Sequence, residues 1–162
     1  MNIVLIGMPG CGKSTVGPLL RRPFYDADAE VERAEGRTVA EIFDTGGEAA
    51  FRLAERAVIQ RLSEMDGVTI ATGGGAVKAP GNMTALKQNG FIVFLDRPPE
   101  LINTDNADRP LLRQPCQWKK LYRERLPLYR QYANAIIVNE STPEDCAAAI
   151  LEAVKNKPGR RV

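Results

Sequence analysis

The sequence contains no histidine, and this absence restricts the chemistry open to it. Histidine is the usual side chain for proton transfer near neutral pH and a common metal ligand. A general base in this protein must therefore be a carboxylate, a lysine, a tyrosine or a thiolate. Histidine-based catalytic triads and histidine-ligated metal centres are excluded.

Cysteines are few, and long apolar runs are missing. The three cysteines, Cys11, Cys116 and Cys146, are odd in number and lack metal-site spacing. Such thiols indicate a reducing, cytoplasmic setting. No segment approaches the about 20 continuous apolar residues of a membrane span, so we expect no membrane association. A net charge of +2 over 162 residues gives no indication of a nucleic-acid partner.

Short apolar runs alternate with helical patterns along the chain, whose length predicts a single domain over residues 1–162. The predicted strands are Asn2–Ile6, Pro23–Tyr25, Val68–Ala71, Phe91–Leu95 and Ala135–Val138. Helices are predicted near 13–20, 28–35, 47–64, 80–88, 98–103, 118–131 and 143–156, and the apolar face of the third comprises Leu53, Ala54, Val58, Leu62 and Met65. This alternation predicts an α/β fold with a five-stranded parallel sheet and helices on both faces. The polar, proline-bearing stretch 103–118 predicts a mobile lid.

The segment from Gly7 to Ser14 reads GMPGCGKS, a complete phosphate loop. An apolar strand pattern precedes it and a helical pattern follows it, which favours this interpretation over a chance glycine-rich turn. Glycines let successive backbone N–H groups face one point. Lys13 is then expected to reach the β- and γ-phosphates, and Ser14 to ligate Mg²⁺. The residues expected to contact the nucleotide here are Gly10, Cys11, Gly12, Lys13, Ser14 and Thr15.

Asp26 and Asp28 follow the second predicted strand. If the chain stays extended, alternation directs both carboxylates towards the same end of the sheet. One would lie near Mg²⁺ and the other would accept a hydrogen bond from a hydroxyl nucleophile. The alternative is that Asp28 caps the following helix, and the residues alone leave both open.

Further along, three short motifs carry charge or backbone freedom. Arg52 and Glu55 share one helix face at i, i+3 spacing, which is also the pattern of an ordinary surface ion pair. The triple glycine Gly73–Gly75 permits a ligand to approach the backbone closely. Two arginine-bearing motifs follow, DRPLL over 108–112 and RLPLY over 125–129.

In this order, from end to end, these motifs resemble the shikimate kinase family. The resemblance implies the P-loop kinase fold with a mobile lid, ATP and shikimate as substrates, Mg²⁺ as cofactor and a monomeric, cytoplasmic enzyme. It implies that Asp26 contacts the metal through water. It also implies that Asp28 binds the shikimate hydroxyls and orients or deprotonates the attacking one.

The remaining roles follow from the same resemblance. Arg52 and Arg125 would bind the substrate carboxylate, with Glu55 holding Arg52 in place. The Gly74 N–H would meet the ring hydroxyls. Arg109 would enter with the lid to neutralise the transferring phosphoryl group, and Pro143 would lie near the adenine. The substrate-binding helical region would span about 28–62.

Two features depart from the family pattern. The first helix is short and contains Pro18, and Ile102 stands where family members commonly carry an arginine that stacks on adenine. Other small-molecule kinases of this fold, acting on gluconate or nucleoside monophosphates, share the loop and lid. A non-catalytic ATP-binding relative is the alternative outside enzymes.

Overall fold

The computed structural model describes residues 1–102 and 114–158. Its five strands form one parallel sheet in the order β2-β3-β1-β4-β5. The strands are β1 (Asn2–Ile6), β2 (Phe24–Asp26), β3 (Thr69–Ala71), β4 (Gly90–Asp96) and β5 (Ala135–Val138). The helices are α1 (Lys13–Val16), α2 (Ala27–Glu35), α3 (Val39–Ser63), α4 (Pro80–Asn89), α5 (Pro115–Tyr132) and α6 (Pro143–Lys155).

Both faces of the sheet are covered, as the sequence predicted. The central strand β1 is buried throughout, and its side chains alternate between two apolar cores. Val4 and Ile6 join the core beneath α2, α3, α4 and α5. Ile3 and Leu5 join the smaller core beneath α1 and α6.

Helix α3 is longer than predicted because its first eight residues, 39–46, were missed. It begins after Thr38, whose hydroxyl accepts a hydrogen bond from the Glu41 N–H while the Glu41 carboxylate accepts one from the Thr38 N–H. This reciprocal cap satisfies two N–H groups that the first turn leaves unpaired. At Gly47 the backbone leaves helical geometry, with φ 71° and ψ −173°, which explains why the sequence pattern appeared to begin there.

Pro18 ends the first helix early. The predicted helix over 13–20 is α-helical only to Val16 and continues as a 3₁₀ turn over Gly17–Leu20. Proline has no N–H to donate to an α-helical bond, so the chain tightens at this point. This turn packs directly against β2, because a Cβ on Gly17 would clash with the Phe24 ring.

Three predictions at the surface need correction. Leu53 is 73% exposed, because it lies off the stripe that Ala54, Val58 and Leu62 form at i, i+4 spacing. The predicted helix over 98–103 is a single 3₁₀ turn, Pro99–Leu101. Helix α5 already begins at Pro115, so the last residues assigned to the lid are helical; 103–113 lie outside the described residues. No helix in the described part of the chain has the length and apolar character to cross a bilayer.

Candidate functional site

The phosphate loop has the backbone geometry that its glycines predict. Gly7, Gly10 and Gly12 adopt φ values of 148°, 82° and 103°. Such φ values are strained for any residue with a Cβ. The Lys13 ammonium donates to the carbonyls of Gly7, at 2.8 Å, and Met8, at 3.0 Å. The Cys11 side chain, which belongs to the loop, is buried, as expected for a small residue that fills a small space.

Side chains from distant parts of the chain fix the back of this loop. The Asn139 amide, just after β5, donates to the Cys11 carbonyl at 2.9 Å. The Trp118 indole N–H, on α5, donates to the Pro9 carbonyl at 3.2 Å. Sequence reasoning missed both supports, because the partners lie 128 and 109 positions apart.

The two carboxylates at the end of β2, Asp26 and Asp28, do not share one extended segment as predicted. Asp26 caps α2, since its Oδ1 accepts hydrogen bonds from the N–H groups of Asp28, at 3.0 Å, and Ala29, at 3.2 Å. Its Oδ2 accepts a 2.8 Å hydrogen bond from Ser14 Oγ. The alternative that Asp28 caps the helix is therefore wrong, and Asp28 lies in the first turn of α2 rather than in an extended segment.

The triple glycine after β3 is the surface on which the charged groups meet. A Cβ on Gly73 would lie 2.8 Å from Asp28 Oδ1 and 3.2 Å from Glu55 Oε2. A Cβ on Gly74 would lie 2.9 Å from Cδ of Pro9 in the phosphate loop and 3.1 Å from Arg125 Nη1. These positions therefore have room only for glycine.

Arg52 completes this cluster. A Cβ on Gly75 would clash with its guanidinium. Asp28, Arg52, Glu55 and Arg125 therefore line one turn, although they come from α2, α3 and α5. We call this group, with Gly73–Gly75, the triple-glycine cluster.

Glu55 holds Arg52 from below. Arg52 Nη1 donates to Glu55 Oε1 at 2.8 Å, and the Glu55 side chain is only 1% exposed. Burial raises the pKa of Glu55 above its ordinary value, against the opposing hydrogen bond and charge of Arg52. The Asp28 charge raises this pKa further and the Arg125 charge lowers it. The pair is buried on its acidic side, so the surface ion-pair interpretation is wrong.

Arg125 brings an unsatisfied donor to the cluster. The residue is 9% exposed, and its buried Nε has no hydrogen-bond partner among the described residues. A buried donor without a partner is costly, and a bound anion would satisfy it.

Ile102 and Pro143, the residues expected on the adenine side, lie outside the triple-glycine cluster. Ile102 is 9% exposed and packs in the core beneath α5. Pro143 begins α6 directly after its N-cap, Thr142. Arg109 lies outside the described residues.

Comparison with known proteins identifies what this arrangement is similar to. The family model "Shikimate kinase" matches residues 9–155. The shikimate kinase of Clostridium botulinum strain Eklund 17B is 39% identical over 96% of this chain and 98% of its own length. That of Hahella chejuensis is 45% identical over 86% of this chain and 78% of its own length. The structure of the Acinetobacter baumannii shikimate kinase in complex with shikimate has a TM-score of 0.90 at 38% identity, covering 98% of this chain and 95% of that one.

Proposed function

The chain belongs to the shikimate kinase family and is an ATP-dependent shikimate kinase, and we propose that the triple-glycine cluster binds shikimate beside the phosphate loop. The observation that carries this proposal is the convergence of Asp28, Arg52 and Arg125 on three consecutive glycines, of which Gly74 lies against Pro9 of the phosphate loop. A carboxylated polyol needs both cations and hydrogen-bond acceptors in one pocket, and this cluster supplies them.

Arg52 and Arg125 bind the substrate carboxylate in this proposal. Guanidinium groups present paired N–H donors that match the two oxygens of a carboxylate. Glu55 fixes the orientation of Arg52, so little side-chain entropy is lost on binding. The unsatisfied Nε supports Arg125 as the second contact.

Asp28 accepts a hydrogen bond from the 3-hydroxyl of shikimate and orients or deprotonates it for attack. Its carboxylate lies against Gly73, at the start of α2, whereas the two guanidinium groups lie against Gly74 and Gly75. The Gly74 N–H is the proposed donor to the ring hydroxyls. Phosphoryl transfer depends chiefly on such positioning and on charge neutralisation.

The phosphate loop holds ATP, with Lys13 moving from the loop carbonyls to the β- and γ-phosphates. Ser14 and Asp26 would hold Mg²⁺, Asp26 through water. Their oxygens, 2.8 Å apart, are the hard ligands that Mg²⁺ prefers. The described residues contain no group of three or more acidic or cysteine side chains suited to a metal, in keeping with an ion that takes most ligands from phosphate and water. When bound, the ion neutralises phosphate charge.

Arg109, Pro143 and the lid over about 103–118 complete the proposal. Arg109 neutralises charge on the transferring group, and the lid excludes water that would compete as acceptor. Pro143 contributes an apolar contact to the adenine. We also propose that the enzyme acts in the cytoplasm, because the described cysteines are all free thiols. A monomer is proposed from the family resemblance alone.

A substrate panel tests the function. ADP release with ATP and Mg²⁺ is measured for shikimate, gluconate and a nucleoside monophosphate. Turnover on shikimate alone is expected. Turnover only on another acceptor would favour a different small-molecule kinase, and ATP binding without any turnover would favour a non-catalytic relative.

A further inference from the structure

Tyr129 is a buried side chain that the mechanism above does not use. It is 1% exposed and lies one helical turn after Arg125 on α5. Its hydroxyl donates a 2.6 Å hydrogen bond to the Gly74 carbonyl, and Met8 Sδ lies 3.6 Å from the same oxygen. Its ring stacks on Phe94 of β4, with centroids 4.9 Å apart and planes at 22°.

The hydrogen bond fixes a peptide that has no side chains to fix it. Glycines are free to adopt many backbone conformations, so the Gly74–Gly75 peptide needs an external anchor. Because a trans peptide is planar, its N–H points opposite to its carbonyl. With the Gly74 carbonyl directed at Tyr129, the Gly75 N–H is directed away from α5.

The same residue ties the turn to Arg125. Arg125 Nη1 lies against Gly74, the residue whose carbonyl Tyr129 binds. Burial raises the pKa of Tyr129 well above its ordinary value, so the hydroxyl stays protonated and remains a donor. Phe94 stacks on the ring from the sheet side, and the hydroxyl oxygen lies against Gly74.

We infer that Tyr129 is a positioning residue for the shikimate site: its hydroxyl holds the Gly74 carbonyl and thereby fixes the backbone of Gly74, whose N–H is the proposed donor to the ring hydroxyls. This inference rests on the proposed function of the triple-glycine cluster. Tyr129 touches neither substrate in this account and acts only through Gly74 and its neighbour Arg125.

Tyr129→Phe tests the inference, because it removes one oxygen and keeps the ring. The KM for shikimate is expected to rise about 5- to 10-fold, the equivalent of one buried hydrogen bond. The KM for ATP and kcat are expected to stay within about twofold. Tyr132→Phe is the matched control on the same helix and should leave all three constants unchanged. Assays run well below the melting temperature of each variant.

The outcomes separate positioning from simple structural support. A lower melting temperature with an unchanged KM for shikimate would overturn the inference, as would an equal rise in both KM values. If the phenylalanine variant does not fold, 4-fluorophenylalanine placed at position 129 makes the same test with a group of similar size. A wild type without turnover on shikimate would instead contradict the proposed function.

Discussion

Asp28 is the residue on which proton transfer depends in this account. Replacing it with asparagine keeps the shape but removes the negative charge and the basicity of the carboxylate, so kcat should fall at least about 100-fold. The KM for ATP should change little, because Asp28 lies against Gly73 rather than against the phosphate loop. Steady-state ADP release measures both constants.

Asp44→Asn is a suitable control, since Asp44 is exposed on α3. It should retain full activity. A mild rise in the KM for shikimate with kcat unchanged in Asp28→Asn would reassign Asp28 to binding alone.

Glu55 gives the protein a pH-dependent stability. Its pKa is raised in the folded state, so the native protein keeps this proton to higher pH than the unfolded chain. The free energy of unfolding therefore decreases as pH rises from about 4 through the folded pKa. Each tenfold difference between the folded and unfolded acid dissociation constants is worth about 1.4 kcal/mol.

The substitution Glu55→Gln removes the titratable group at position 55, so comparison with the wild type isolates the contribution of Glu55 to the pH dependence of stability. The stability of the wild type relative to the variant should decline as pH rises from about 4 through the folded pKa, as measured by urea unfolding. Glu64→Gln, at an exposed position of the same region, should show no such trend. A relative stability that rises with pH would show that pairing with Arg52 outweighs burial.

At the scale of residues, the sequence indicated which side chains belong to the site more accurately than it indicated how they are arranged. The sequence singled out Asp28, Arg52 and Arg125, and the structure brings them to one turn, whereas their roles stay predictions. The sequence could not show that Asp26 rather than Asp28 caps α2, because either carboxylate suits the N-cap position. Tyr129, Asn139 and Trp118 act through long-range hydrogen bonds, which leave no local pattern.

At the scale of elements, Gly47 has the most constrained backbone in α3. Its φ of 71° with ψ of −173° belongs to a region essentially reserved for glycine. Gly47→Ala should cost about 1–3 kcal/mol of unfolding free energy. It should also raise the KM for shikimate, because Glu48 and Arg52 follow this break directly and are paired with each other.

Gly81→Ala provides the contrasting control. Gly81 lies in α4, where an added Cβ would meet open space. This change should stabilise the protein by about 0.5–1 kcal/mol without altering KM. Equal effects of the two substitutions on melting temperature would contradict the assignment of strain to Gly47.

Elements with strong patterns were predicted well, and those set by capping were not. Strands β1 and β5 have their predicted bounds. The first eight residues of α3 were missed because polar residues interrupt its apolar periodicity, and its start depends on the Thr38–Glu41 cap. Pro18 truncates α1 for a local reason that the sequence does show.

At the scale of the whole molecule, α5 joins the phosphate loop to the triple-glycine cluster. Trp118 binds the phosphate loop, Tyr122 donates to Asp96 at the end of β4, and Arg125 and Tyr129 contact the triple glycine. One helix thus fixes the distance between the proposed sites of the phosphate donor and its acceptor. Parallel strands bring these parts together because their carboxyl ends share one edge of the sheet.

The central claim is that guanidinium groups from α3 and α5 grip a single carboxylate, and comparing shikimate with its carboxamide tests it most directly. Wild type should prefer shikimate in kcat/KM by about 10- to 100-fold, the value of charge-assisted hydrogen bonds. Arg125→Ala should lose most of this preference, chiefly through KM, whereas Arg130→Ala on the same helix should keep it. An undiminished preference in both Arg125→Ala and Arg52→Ala would place the carboxylate elsewhere and contradict the account.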